Sequence, residues 1–68
     1  MKFDVYGRFQ LEVVREKDQW VVYRLGLGKR ARADIVIPPW VAPSEVATHL
    51  DDLLHELAGR GQHVRLLA

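Results

Sequence analysis

The chain contains no cysteine. That excludes disulfides, thiolate metal sites and a cysteine nucleophile. A small secreted domain ordinarily leans on disulfides, so a reducing cytoplasm is the expected setting. Serine occurs once, at Ser44, and no Ser/His/Asp arrangement can be built around it except a trivially local one. No run of about 18 apolar residues is present, so no membrane span is expected. No apolar stretch of signal length follows Met1-Lys2 before Phe3-Asp4-Val5, so no secretory leader is expected either. Charge of one sign is also scarce. The net charge is +1, well short of the basic balance of a dedicated nucleic-acid binder.

What is present is an ordinary globular composition, 49 % apolar and 28 % charged over 68 residues. This length predicts one domain, residues 1–68, with a core of roughly a dozen side chains. A deep substrate cavity, typically ~300–1,000 Å³, has little space in it, which argues against an enzyme. The charges are unevenly spread. Residues 1–33 hold eight Lys or Arg against four Asp or Glu, whereas residues 34–59 hold five acidic residues and no Lys or Arg. A basic sheet half and an acidic helix half follow from this division.

Phe3, Val5, Phe9, Leu11 and Val13 occupy odd positions, with Asp4, Tyr6, Arg8, Gln10 and Glu12 between them. This period of two predicts strand structure with one buried face. Because the phase survives Gly7, a single long strand bent at the glycine is preferred over a hairpin there. Glu16 to Gln19 reads as a turn. Trp20 to Leu25 is rich in β-branched and aromatic residues and apolar on both parities, which fits a central strand partly covered on both faces. Gly26-Leu27-Gly28-Lys29 predicts a hairpin into a third strand, in which Ala31, Ala33, Ile35 and Ile37 alternate with Arg30, Arg32, Asp34 and Val36. Pro38-Pro39 ends it.

Pro43 suits the first position of a helix, with Ser44 as an alternative N-cap and Glu45 favouring the dipole. Val46, Leu50, Leu53, Leu54, Leu57 and Ala58 form one apolar stripe, so an amphipathic helix is expected over 43–58, stopped by Gly59. His63 to Leu67 is long enough for a short edge strand. The fold class is α+β: a three-to-four-stranded antiparallel sheet in β-β-β-α-β order, with one amphipathic helix packed on one face.

Three readings of function arise from the residues. Trp40, beside Pro38-Pro39, is a candidate protein anchor if exposed, because tryptophan dominates binding hot spots; packing beneath the helix start is the alternative. With Trp20, Tyr23, Arg24, Lys29, Arg30 and Arg32 it outlines an expected interaction surface on the sheet side, for another protein or for self-association. The same basic 24–32 hairpin could meet phosphates, with Tyr6, Trp20 and Tyr23 stacking on bases. Its GxGK fragment does not make a phosphate loop, since no Ser or Thr follows the lysine and a strand comes next. Third, Glu45, His49, Asp52 and Glu56 share one helix flank and could hold a metal, and Asp51, Asp52, His55 and Glu56 could suggest acid–base work, so a metal-dependent or hydrolytic enzyme on the helix polar face is the alternative, although a solvated acidic face has the same pattern. His49 and His55 point about 120° apart and do not pair. An Asp51–His55 hydrogen bond accounts for those two residues. No cofactor and no catalytic residue is expected.

Taken together, FDVYGR (3–8), Trp20, LGLGKRAR (25–32), DIVIP (34–38) and HLDDLLHELA (49–58) resemble a family of short bacterial proteins of unknown function, over nearly the whole chain. The resemblance implies a bacterial cytoplasmic source and no known activity, so it carries over no site residues. Three strands followed by an acidic helix also look, more weakly, like small antitoxins built on half of a ribonuclease-H-like fold, though without the Gly-Gly and Pro-Gly turns of that pattern.

Overall fold

A computed structural model describes residues 1–26 and 28–68. Leu27, in the turn expected at Gly26–Lys29, lies outside the described residues. Five strands form one antiparallel sheet: β1 (Lys2–Val5), β2 (Phe9–Glu16), β3 (Gln19–Gly26), β4 (Lys29–Arg32) and β5 (Val64–Leu66), in the spatial order β4-β3-β2-β1-β5. Helix α1 (Val46–Leu54) is flanked by 3-10 turns at Pro43–Glu45 and His55–Leu57. The α+β class and antiparallel sheet are as expected, but the described residues form five strands and not three or four.

The extra strand arises at Gly7. Tyr6, Gly7 and Arg8 form a hairpin loop, and Val5 pairs with Phe9. This corrects the expectation of one long bent strand. Hairpins with an odd number of loop residues pair odd positions with odd, so the alternation passes through unbroken and cannot reveal the turn. Tyr6 and Gly7 both take positive φ, +56° and +68°, which glycine adopts freely and tyrosine does not. At the next hairpin Glu16 pairs with Gln19, and Lys17 and Asp18 both have positive φ. That is the twist of a type I′ turn, built here without its usual Asn-Gly.

The third expected strand is cut short. β4 ends at Arg32, and the chain then crosses the helix-side face of the sheet as a strap, residues 33–42. Ala33 N–H still donates to Val22 C=O, and no ladder follows. The predicted alternation of burial nonetheless persists along the strap: Ile37 is buried and Val36 is 77 % exposed. Here a period of two describes an extended chain lying on a core, not a paired strand.

The expected helix over 43–58 is also trimmed. Ala42 precedes it in extended conformation and offers no side-chain cap, and Ser44 does not cap either. The first turn tightens instead, with Glu45 N–H on Ala42 C=O and Val46 N–H on Pro43 C=O. At the far end Ala58 is already extended before Gly59, whose N–H donates to Gln62 Oε1. Val46 and Leu50 are buried, but Leu53 and Leu57 of the expected stripe stand exposed. β5 is the edge strand expected over 63–67, and it pairs with β1.

One face of the sheet carries the core. Phe3, Val5, Leu11, Val13 and Val22 meet Ile37 from the strap and Val46 and Leu50 from α1. Tyr6 joins them from its turn and is buried. On the opposite face β3 has no second layer among the described residues. Val21 is buried there all the same, and Tyr23, on the same face, reaches along the strand to Glu16 with its hydroxyl.

Candidate interaction surface

Alternation along each strand decides which expected surface residues share a face. Register pairs Trp20 with Arg15, Arg24 with Ala31 and Gly26 with Lys29, all in phase with Val22 on the helix side. Tyr23, Arg30 and Arg32 lie in the other phase, on the open face. The expected single patch around Trp20, Tyr23 and the Lys29–Arg32 hairpin is therefore divided by the sheet itself.

On the open face Tyr23 sits at the centre of a small network. Its hydroxyl donates to Glu16 at 3.1 Å, and the Arg30 guanidinium lies 4.1 Å from the ring centroid. Arg30 also donates to Glu12 at 2.8 Å. That bond raises the guanidinium pKa further still and keeps Arg30 charged. On the helix side Arg24 stacks over Phe9 at 4.5 Å and Arg15 over Trp20 at 4.6 Å. These stacked cations cover aromatic surface with their stems and planes. Among the described residues, Lys29 and Arg32 have no ion-pair partner. Phosphate contacts would have to come from these two or displace the internal partners of Arg24 and Arg30. Tyr6, a candidate stacking platform, is buried and unavailable.

Trp20 is half-buried, and its Nε1–H donates to the Val41 carbonyl at 2.9 Å. This bond ties the strap to β3. Trp40, one residue earlier on the strap, is 82 % exposed; it does not pack beneath the helix. The two tryptophans, with Arg15, Pro39, Val41, Ala42 and Pro43, line an open groove of about 470 Å³. A second groove, about 360 Å³, lies at the β4 end between Phe9, Leu11, Arg24, Ala31–Ile35, Leu54 and Leu57. Neither groove was foreseen as such. Val36 in the polar phase of the strap was the available signal for an exposed apolar connector.

The helix flank makes a different set of contacts from those expected. Asp51 does not pair with His55. It accepts from the Tyr6 hydroxyl at 2.5 Å, and His55 Nδ1 lies 3.0 Å from the Asp52 carbonyl. Desolvation by burial, and then donation to Asp51, hold the proton on the Tyr6 phenol and push its pKa from 10.0 up to about 12. Among the described residues no three His, Asp or Glu side chains converge as a metal site requires; Glu45, His49 and Asp52 border a small pocket of about 170 Å³ with Val41 and Thr48, and His49 is half-buried.

The geometry defines a class first: a small antiparallel α+β domain with an exposed tryptophan strap and an uncapped basic edge. The chain belongs to the DUF7661 family, a domain of unknown function, whose profile matches residues 1–68. No curated protein and no solved structure matches it. Among the described residues no helix is long and apolar enough to cross a membrane.

Proposed function

We propose that this DUF7661 domain is a non-enzymatic protein-interaction module of the bacterial cytoplasm, and that Trp40 is its anchor. The carrying observation is a large indole, 82 % exposed, on a strap that is fixed in place. Trp20 holds Val41, Val41 N–H donates to Pro38 C=O, and Ile37 is buried beneath. Exposed tryptophan on a rigid support is pre-organised for binding, since little ordering entropy is lost on contact. Pro38 and Pro39, directly before Trp40, stiffen the same segment, and Pro39 and Pro43 line the groove beside it. The partner is a second copy or another protein; nucleic acid is disfavoured by the internal engagement of Arg24 and Arg30. The absence of cysteine supports the reducing compartment.

Light scattering across concentration and affinity capture with wild-type and Trp40→Ala baits test this together. A self-assembly or partner present for wild type and weakened about thirtyfold by Trp40→Ala is the expected result, the ~2 kcal/mol of a hot-spot tryptophan. A strictly monomeric chain whose captured proteins are unchanged by Trp40→Ala would remove the reading.

A further inference from the structure

We propose that β4 is a docking edge for an extended acidic segment of another protein, which joins the sheet as a sixth strand. This goes beyond the Trp40 reading and does not depend on it. The edge is open: β4 is the outermost strand and all four of its residues are exposed. Ala33 N–H donates to Val22 C=O, so the odd positions of this segment turn their backbone groups toward β3. Arg30 and Arg32 therefore turn theirs outward. Among the described residues no backbone hydrogen bond outside the strand ladders involves Lys29–Arg32.

The side chains beside an added strand differ on its two faces. On the helix side they are Lys29, Ala31 and Ala33, and the small size of the two alanines leaves open the groove between Phe9, Ile35, Leu54 and Leu57. On the other side they are Arg30 and Arg32. Arg30 is already satisfied by Glu12, and Arg32 has no ion-pair partner among the described residues. A strand's period of two then dictates the occupant: apolar side chains into the groove alternating with carboxylates along the arginines. A second copy is the wrong chemistry for this edge. Two β4 strands paired antiparallel would set Arg30 and Arg32 of one chain against Arg32 and Arg30 of the other, and like charges opposite one another are destabilising. Asp34, at the end of the groove, limits the favourable stretch to β4.

The test is titration of the ¹⁵N-labelled chain with a capped synthetic peptide alternating glutamate and valine. Two controls accompany it: a lysine-for-glutamate counterpart, and a glutamate peptide N-methylated on its ladder side. Binding should shift the resonances of Lys29–Ala33, Ile35 and Leu57 and slow amide exchange at Arg30 and Arg32. Both controls should bind about tenfold more weakly. Arg32→Gln should weaken the glutamate peptide, and Arg32→Glu should reverse the preference toward lysine, with an otherwise unchanged spectrum showing an intact fold. Trp40→Ala should leave peptide binding unaltered, so that the two readings fail separately. Unslowed exchange at Arg30 and Arg32 at saturating peptide, equal affinity for the glutamate and lysine peptides, or dimerisation through β4 would each overturn the proposal.

Discussion

The two ends of the helix-side face are built differently. At the β1–β5 end the helix closes the sheet. α1 lies closest to β5, Leu50 is wholly buried, and the Tyr6 hydroxyl pins Asp51 to the β1–β2 turn. At the β3–β4 end, among the described residues, the helix arrives only with its last residue, Leu54, and the following 3-10 turn with Leu57, both at the rim of the groove. A strap of extended chain covers the rest, held by the Trp20 indole hydrogen bond, the Ala33–Val22 backbone bond and the Ile37 side chain, and the groove remains beside it. One end is a core; the other is a surface kept in order at low cost in contacts. In so small a domain the helix, about 14 Å long over its nine α-residues, cannot cover a five-stranded sheet, and the strap and its grooves occupy what it leaves.

The contrast is broken most severely by truncating the closed end. Leu50→Ala should cost about 2–5 kcal/mol in chemical denaturation, whereas Leu57→Ala at the open end should cost under about 1 kcal/mol. Leu57 is already 43 % exposed, so its removal leaves little cavity. Equal losses at the two positions would mean that the open end is as closely packed as the other.

Next in size is the Tyr6–Asp51 clamp. Tyr6→Phe should cost about 1.5 kcal/mol, the worth of a hydrogen bond to a charged group. Because the folded phenol titrates near 12 and the unfolded one near 10, folding favours the protonated form. The clamp's contribution is therefore whole below about pH 10 and lost as pH rises through 12. Wild type should lose its advantage over Tyr6→Phe across that window, as followed by circular dichroism.

Loosening the open end is the gentler counterpart. Trp20→Phe keeps most of the apolar surface but leaves the Val41 carbonyl without its donor, at about 1 kcal/mol. Its signature should be faster amide exchange along the strap with no change in β1 or β5. Smallest of the four is a gain. Lys17→Asn with Asp18→Gly relieves two left-handed non-glycine residues and should add up to about 1 kcal/mol. Since that turn belongs to neither end, the difference between Leu50→Ala and Leu57→Ala should be unchanged in this background.

The closed end was largely legible in the sequence, and the open end was not. Phe3, Val5, Leu11 and Val13 declared their face by alternation, and Val46 and Leu50 by helical spacing, because both periods report burial against a continuous core. The β1–β2 hairpin escaped because parity is blind to a three-residue loop. Tyr6 looked like a polar-phase residue although it is buried, since a turn residue belongs to neither face. Ala33 to Ile37 kept the rhythm of a strand while lying on the sheet without pairing, which composition cannot distinguish. Trp20, Tyr23 and the hairpin cations are close in sequence, and closeness in sequence does not put them on one face. A strand sends adjacent side chains to opposite faces, and that rule alone would have separated Tyr23 from Arg24.

The pair of tryptophans has one more consequence. Trp20 is stacked by a guanidinium and hydrogen-bonded through its indole N–H, whereas Trp40 stands in water. The native chain is therefore a two-channel optical probe. A dissolved quencher such as iodide should extinguish the red-emitting Trp40 first and leave Trp20 bright. A partner that seats on the strap should reverse that order for Trp40 alone, reporting occupancy at one indole while the other reports that the strap has stayed in place.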